Sequence, residues 1–309
     1  MSRETEKIFR KMEKFLSNKE IQGDEEYDQA VKEFMNMYNN ETPEKKGDDA
    51  LDYLDMALDA DNEEDALKYA RKAFQMDKDL LDAQVLIAEL TSESSEDLKK
   101  KYEKIIEHTE SHLKKSDVLI DENIGHFWGI LETRPYMRVR HSYIELLISQ
   151  GKFKKAIKEC EELLVLSEGD NLGIRYKLIS LYACFEDEKN VISLHEKFDS
   201  ESSSQMLLAI IALYYKLDED EKAKAYLKKL MTINRDMEEV FGDIEGLLEK
   251  IMEEDINIGM YRPDSKEELM VAMSDSAFLY TTSPGFLFWI SDRVIKAKKK
   301  DKIIKNHKR

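Results

Sequence analysis

One helix–turn–helix pattern recurs along this sequence and limits what the chain can fold into. In GKFKKAIKECEELLVL, the turn residue Gly151 is followed five positions later by Ala156, and Cys160 and Leu163 continue the same helical face. The preceding YIELLISQ has apolar residues at helical spacing, so two helices form one unit of about 34 residues. Two helix axes approach to about 8 Å only where the contact residue is small, which explains the alanine at the predicted crossing.

The pattern occurs in four other segments. ADNEEDALKYARKAF places Ala66 at the crossing, and DEDEKAKAYLKKL places Asp218 at the turn and Ala223 at the crossing. FEDEKNVISLHEKF fits less well, with Val191 or Asn190 at the crossing, and SESSEDLKKKYEKII begins a longer second helix. These units resemble the tetratricopeptide repeat. They predict an all-α fold, a tetratricopeptide-like α-solenoid of antiparallel helix pairs with N- and C-terminal capping helices.

Glycine and proline are scarce, at 11 and 4 of 309 residues, which favours helices joined by short turns over sandwiches and barrels. Thr133, Asp236 and Asp264 are predicted N-caps, and Pro135 falls at the start of its helix, where a missing N–H costs little. The predicted parts are N-terminal helices in 1–46, repeat hairpins 1–2 in 47–115, a linker in 116–136, hairpins 3–5 in 137–235, capping helices in 236–292 and a basic tail in 293–309. The capping helices are expected at Met237–Met252 and Ser265–Tyr280.

The sequence also indicates where the protein resides. No apolar run is long enough to span a bilayer, and the charged N-terminus lacks the apolar core of a signal peptide, so a cytoplasmic protein is expected. Cys160 and Cys184 lie inside apolar helical patterns and are expected to be two buried free thiols.

Charge is unevenly distributed along the chain. The net charge is −17, which disfavours general nucleic-acid binding by the body of the protein, yet the segment from Arg293 to Arg309 holds nine Lys or Arg and one Asp. Five apolar residues stand just before or within the start of this basic segment, namely Phe286, Phe288, Trp289, Val294 and Ile295.

Three interpretations of this segment stay open. The aromatic residues could seat on an anionic membrane surface, or the tail could bind nucleic acid. Alternatively, Phe286–Ile295 is a capping helix packed on the last repeat, and Lys296–Arg309 is a solvated tail.

A distinct block, GHFWGILETRPYMRVRH, joins the second and third hairpins. Together with LLVLSEGDNLGIRYKLISLY and TTSPGFLFWI, it resembles bacterial and eukaryotic helical-repeat proteins related to the suppressor-of-tumorigenicity-type family. The similarity covers roughly Gly47 to Asp292, and the Arg-Pro-Tyr-Met run is its most specific part. It implies an all-helical scaffold with no known reaction, and it supplies no catalytic residues.

Two roles for this block follow from the residues. With Met137 as the first position of its repeat, the first-helix positions that line the concave groove of a tetratricopeptide stack hold Arg138, His141, Glu145 and, in the next unit, Arg175. Arginine pairs bidentately with carboxylates, so the groove is expected to bind a partner protein or peptide, possibly an acidic one. The alternative is a purely structural joint, in which internal salt bridges and packed aromatic rings fix the linker through Phe127, Trp128, Glu132, Arg134, Pro135, Arg138 and Arg140.

No reaction, metal or cofactor is expected. His108 and His112 are four apart on a helix, but no third ligand is evident, so two solvated histidines are favoured over a metal site. The acidic stretch Asp59–Asp65 lacks the glycine of a calcium loop and is interpreted as a repeat turn. No phosphate-binding loop and no nucleophile motif occurs in the sequence. We therefore expect a non-catalytic interaction scaffold, with a tail-mediated membrane or nucleic-acid association as the alternative.

Overall fold

The computed structural model describes residues 3–19, 21, 23–40, 49–244, 246 and 261–307. These residues form helices and no β-strand, so the predicted all-α class is confirmed. The helices are α1 (Arg3–Ser17), α2 (Asp24–Asn40), α3 (Ala50–Leu58), α4 (Glu63–Met76), α5 (Leu81–Leu90), α6 (Ser95–Lys115), α7 (Arg134–Ser149), α8 (Phe153–Leu166), α9 (Ile174–Cys184), α10 (Glu188–Lys197), α11 (Ser204–Lys216), α12 (Asp220–Ile233), α13 (Met237–Phe241), α14 (Lys266–Asp275), α15 (Ala277–Thr281) and α16 (Pro284–His307).

The chain forms two compact units, Met1–Tyr143 and Ile144–Arg309, here called unit 1 and unit 2. The boundary lies within α7. In unit 1, α3 packs on α4, α4 on α5, and α5 on α6. Leu54, Ala73, Leu80 and Ala83 form a buried apolar cluster between these helices. Three short 3-10 turns precede α7, at Asp121–Asn123, Phe127–Gly129 and Leu131–Thr133.

In unit 2, each helix from α8 to α12 packs on its neighbour in the chain, and α9 also packs on α11. The predicted crossing residues Ala156 and Ala223 are both fully buried. Between the two candidates on α10, Val191 is fully buried, and Asn190 instead bonds the helix-capping carboxylate of Asp187. A small or β-branched side chain at these positions allows close approach of the helix axes.

The same turn joins the helix pairs α7/α8, α9/α10 and α11/α12. Gly151, Glu186 and Asp218 each have left-handed backbone, with φ of 66°, 60° and 57°. In every case the amide of this residue bonds the carbonyl three residues back, and the next amide bonds the carbonyl five back, at 2.8–3.2 Å. This is the Schellman arrangement, which satisfies the last carbonyls of the first helix. In unit 1 the α3/α4 turn differs, because Asn62 caps α4 and no residue there has positive φ.

The C-terminal helices pack along unit 2. Both α14 and α15 contact α11, α15 also contacts α9, and α16 contacts α11 and α13. As a result α11 is buried from Ser204 to Tyr214. The buried carboxylate of Glu268 accepts hydrogen bonds from the Ser204 amide at 3.3 Å and its hydroxyl at 2.7 Å. The Asn234 side chain donates to the Ser265 carbonyl at 2.9 Å, which fixes the start of α14.

Two of the predicted N-caps are wrong. Ser265 caps α14 by accepting the Glu268 amide, whereas Asp264 has positive φ of 60°. The Thr133 hydroxyl donates to the carbonyls of Phe127 and Ile130 instead of accepting from the helix. Asp236 does precede α13, but its carboxylate accepts the Lys266 amide at 3.0 Å and makes no capping bond.

Several boundaries also differ from expectation. One helix was predicted over Ser265–Tyr280, and a break at Ser276 divides it into α14 and α15. The predicted helix Met237–Met252 is described only as far as Phe241, and 247–260 lie outside the described residues. Cys160 is buried, but Cys184 is only half-buried. Within the described residues, the basic segment as far as His307 belongs to α16. No helix in the described ranges is long and apolar enough to cross a membrane.

Candidate functional site

A buried cluster of charges in unit 1 surrounds Arg138. Its Nη1 donates to both carboxylate oxygens of Glu6, at 3.0 and 2.9 Å, and Arg134 Nη1 lies 3.5 Å from the same carboxylate. Glu6 belongs to the N-terminal helix α1 and is 5% exposed. A carboxylate is buried to this degree only where it is paired, so α1 docks here through a specific contact.

Asp82, at the start of α5, orients the Arg138 guanidinium. It accepts from Nε at 3.0 Å and from Nη2 at 2.6 Å, which is the bidentate geometry that arginine and carboxylate favour. Burial acts to lower the pKa of Arg138, but the bonds to Asp82 and Glu6 outweigh it and raise the pKa. Because Asp82 binds the edge formed by Nε and Nη2, Nη1 is directed to Glu6.

The next residue of α1 makes an equivalent contact of opposite sign. The Lys7 ammonium lies 2.6 Å from Asp52 and 2.8 Å from Asp55, both on α3. Burial acts to lower the pKa of Lys7, and the two carboxylates more than compensate, so the pKa is raised. Adjacent residues of α1, Glu6 and Lys7, therefore contact opposite charges on α7 and α3, with Asp82 of α5 supporting the arginine. These three helices correspond to the first helices of predicted hairpins 1, 2 and 3.

Arg134, Pro135 and Arg140, three residues of the predicted joint, lie at the start of α7 or within it. Arg134 Nε donates to the Trp128 carbonyl at 2.8 Å, and its guanidinium lies 5.5 Å from the Trp128 ring centre. Pro135 is the second residue of α7, where its missing N–H costs nothing. Arg140 is buried and lies over the Tyr136 ring at 5.7 Å. Of the other residues named for the joint, Phe127 is fully buried and Glu132 is exposed.

A cavity of about 610 Å³ lies in unit 1 beside the cluster. Both predicted solvated histidines, His108 and His112, are exposed and line it, together with Arg10 and Glu13 of α1 and Glu132 of the joint. The apolar residues that line this cavity are Leu80, Leu81, Leu113, Val118, Leu131 and Pro135. Within the described residues no group of three or more His, Cys, Asp or Glu is arranged to hold a metal ion.

Arg175, in unit 2, is committed to a separate network. Its Nη1 donates to Asp170 at 2.9 Å, its Nε to Glu201 at 2.9 Å and its Nη2 to the Tyr176 hydroxyl at 2.5 Å. Tyr176 in turn donates to Glu201 at 2.7 Å, and the Arg175 guanidinium lies 4.2 Å from the Tyr176 ring centre. The buried Asp170 carboxylate also caps α9 by accepting the amide of Ile174 at 2.7 Å. The network therefore fixes the start of α9.

The four residues predicted for a partner groove are placed as follows. Arg138 is paired with Glu6 and Asp82, and Arg175 is bound in its own network in the other unit. Glu145 is half-exposed and pairs with Lys177 at 2.8 Å. His141 is half-buried. The most important carboxylate in unit 1, Glu6, was not among the predicted site residues. Its only sequence signal is its position in an amphipathic first helix, and nothing local marks it as the partner of Arg138.

Two of the three aromatic residues of the C-terminal segment, Phe286 and Trp289, make contacts inside unit 2. Trp289 Nε1 and Arg293 Nη2 both donate to Asp220, at 3.1 and 2.8 Å, and the Arg293 guanidinium stacks on the Trp289 ring at 3.9 Å. Phe286 is fully buried, and Phe288 is 62% exposed. The helix α16 therefore contacts α11 and the first residue of α12.

No protein-family model matches the chain, and no curated protein is significantly similar to it.

Proposed function

We propose that the protein is a non-catalytic interaction scaffold, in which a tetratricopeptide-like array binds a helical segment of a partner protein on the first helices of unit 1. The repeated Schellman turn at Gly151, Glu186 and Asp218 supports the repeat part of this proposal. So does the buried crossing residue that follows each turn by five positions. Arrays of this kind expose extended surfaces formed by equivalent helices.

One observation carries the binding part of the proposal, namely that this surface already holds a helix. α1 is bound through Glu6 to Arg138 of α7 and through Lys7 to Asp52 and Asp55 of α3. Recognition by residues from separate hairpins is what a groove across an array provides, and an amphipathic helix in a groove is a recurring mode of peptide recognition.

The charges of this surface favour a partner helix of mixed sign over a purely acidic peptide. Arg138 and Arg134 favour a carboxylate at one point, and Asp52 and Asp55 favour a cation at an adjacent point. A uniformly acidic segment would place a carboxylate against Asp52 and Asp55, which opposes binding because unpaired like charges repel.

Affinity recovery with the full chain tests this proposal. Asp55 is 42% exposed, so the Asp55→Lys variant inverts one groove charge with little effect on the core. Glu64→Lys makes the same change of charge at an exposed position of α4, which is the second helix of its predicted hairpin and not part of the proposed surface. It is the matched control. We expect a partner that is recovered, and can be cross-linked, equally with the wild type and with Glu64→Lys. Its recovery with Asp55→Lys is expected to be at least fivefold lower than with the wild type. Identical recovery with all three proteins contradicts binding at this surface.

A further inference from the structure

The N-terminal helix has the contacts of a bound ligand more than those of a core element. Among the described side chains of α1, Glu6 is the one that is buried, and it is a charged residue. The apolar face of the helix, formed by Ile8, Met12, Phe15 and Leu16, is only half-buried. In contrast, α11 is buried at every position from Ser204 to Tyr214. The described side chains of α1 are therefore less completely buried than those of α11, and elements with fewer buried contacts open at lower free-energy cost.

The receiving surface has supporting contacts besides those to α1. Arg138 also donates to Asp82 through Nε and Nη2, and these two bonds orient the guanidinium for a carboxylate at Nη1. Asp52 is likewise held in α3, where its amide bonds the capping carboxylate of Asp49 at 2.8 Å. A pre-oriented site binds more tightly because little conformational freedom is lost on binding.

These observations point to one occupant chemistry. The surface takes a helix in which a glutamate or aspartate is followed directly by a lysine or arginine, because α1 is held through the adjacent pair Glu6 and Lys7. The apolar residues of α1 follow at helical spacing, at positions 8, 12, 15 and 16, and Phe15 packs on Phe34 of α2. An occupant that takes the place of α1 therefore also needs an apolar stripe.

We propose that α1 is a tethered resident of this surface, and that a partner helix with the same acid–base pair and apolar stripe binds by displacing it. This inference rests on the proposed scaffold function and adds the class of partner and the contact that competes with it. A tethered segment competes at an effective concentration of about millimolar, so an undisturbed α1 excludes weak ligands and admits only tighter ones.

A labelled peptide with the sequence of residues 3–17, RETEKIFRKMEKFLS, is a direct probe in a fluorescence-anisotropy titration of the full chain. We expect weak binding to the wild type, because its own α1 fills the surface. The double variant Glu6→Ala/Lys7→Ala loses the charges that hold α1, and we expect it to bind the peptide at least tenfold more tightly. Glu13→Ala removes an exposed carboxylate of the same helix and is expected to behave as the wild type.

A charge exchange between the surface and the peptide provides a second measurement, in which the chain keeps its full length. In the Glu6→Ala/Lys7→Ala background, adding Asp55→Lys is expected to weaken the unchanged peptide at least fivefold and to restore binding of a peptide carrying Lys7→Glu. Circular dichroism of each variant establishes that the helices are retained. Equal peptide affinity in the wild type and the double variant, or no discrimination between the two peptides, overturns the proposal.

Partner recovery separates this inference from the scaffold function. A partner whose recovery depends on Asp55 and rises in Glu6→Ala/Lys7→Ala supports both. A partner that depends on Asp55 but is recovered equally by the wild type and the double variant supports the scaffold function and contradicts the displacement of α1 by the partner. Peptide binding in trans with no Asp55-dependent partner makes α1 the sole ligand of the surface and removes the scaffold function.

Discussion

Asp82 accepts hydrogen bonds from Nε and Nη2 of Arg138, at 3.0 and 2.6 Å, and Nη1 of the same guanidinium donates to Glu6. The two carboxylates differ in one respect. Asp82 lies on α5 in unit 1. Glu6 lies on α1, and in the proposed undocked state its carboxylate is hydrated. Arg138 is therefore required by Asp82 in every state of the protein and by Glu6 only when α1 is docked.

Replacing Arg138 with alanine is expected to destabilise unit 1. Asp82, 12% exposed, is left as a largely buried charge without its partner, and removing one member of a fully buried pair costs about 3–5 kcal/mol. We expect about 3 kcal/mol, near the lower limit, because Glu6 regains hydration when α1 undocks. Urea unfolding followed by circular dichroism measures the change.

Arg71→Ala is the control for this variant, since Arg71 is exposed on α4 and its loss is expected to change stability by at most about 0.5 kcal/mol. A cost for Arg138→Ala as small as that of Arg71→Ala contradicts the structural role of the pair.

The crossing residues provide a test of close helix packing. Ala223 is fully buried where α12 crosses its neighbour α11, and a larger side chain has no space there. Ala223→Leu is expected to lower the free energy of unfolding by about 1–3 kcal/mol, because overpacking forces side chains and backbone to shift. Ala225→Leu, two residues later on the exposed side of α12, is the matched control and is expected to be neutral. Thermal unfolding of both variants decides, and equal melting temperatures contradict the crossing.

The crossing positions also indicate how much of the fold follows from the sequence. Ala66, Ala156 and Ala223 could be placed in advance because helical spacing and the small size of alanine are local signals. The Schellman turns follow from the same local chemistry at Gly151 and Asp218, since glycine and aspartate tolerate left-handed backbone. At α10, spacing left Val191 and Asn190 equal, and only the packing of the folded chain selects the apolar residue.

The candidate site could be predicted only in part. The repeat pattern placed Arg138 on a first helix, and that placement is a matter of local spacing. Its occupant could not be predicted, because Glu6 is separated from Arg138 by 132 residues and lies in a charged helix where many carboxylates are equivalent in pattern. Arg175 shows the same limit, since Glu201 lies 26 residues away and only the folded chain brings it to Arg175.

Glycine at one turn is expected to stabilise the protein. Asp218 has φ of 57°, and left-handed backbone costs a residue with a Cβ roughly 1–2 kcal/mol, less for aspartate, while glycine has no such cost. Asp218→Gly is therefore expected to raise the free energy of unfolding by up to about 1 kcal/mol. Asp61→Gly is the control at the α3/α4 turn, where φ is not positive, and it is expected to give no gain. A gain of equal size at both turns contradicts the assigned backbone.

The Arg175 network makes stability depend on pH through Glu201. Burial acts to raise the pKa of Glu201, but the hydrogen bonds from Tyr176 and Arg175 outweigh it, and the pKa lies below its ordinary value of 4.5. A carboxyl with a lowered pKa in the folded state binds fewer protons there than in the unfolded chain. Its contribution to stability is then fully present above pH 4.5 and is lost as the pH falls through the folded-state pKa. Asp170 acts in the opposite sense, because burial raises its pKa despite the bonds to Arg175.

Glu201→Gln isolates the first contribution, because glutamine keeps a hydrogen-bond acceptor but does not titrate. We expect this variant to be less stable than the wild type at pH 7, because the charged acceptor for Arg175 and Tyr176 is lost. As the pH is lowered from 7 to 3, the difference between the two proteins is expected to shrink. Urea midpoints measured across this range test the expectation. A difference that stays constant, or that grows toward low pH, shows that Glu201 is not held in its charged form by Arg175 and Tyr176.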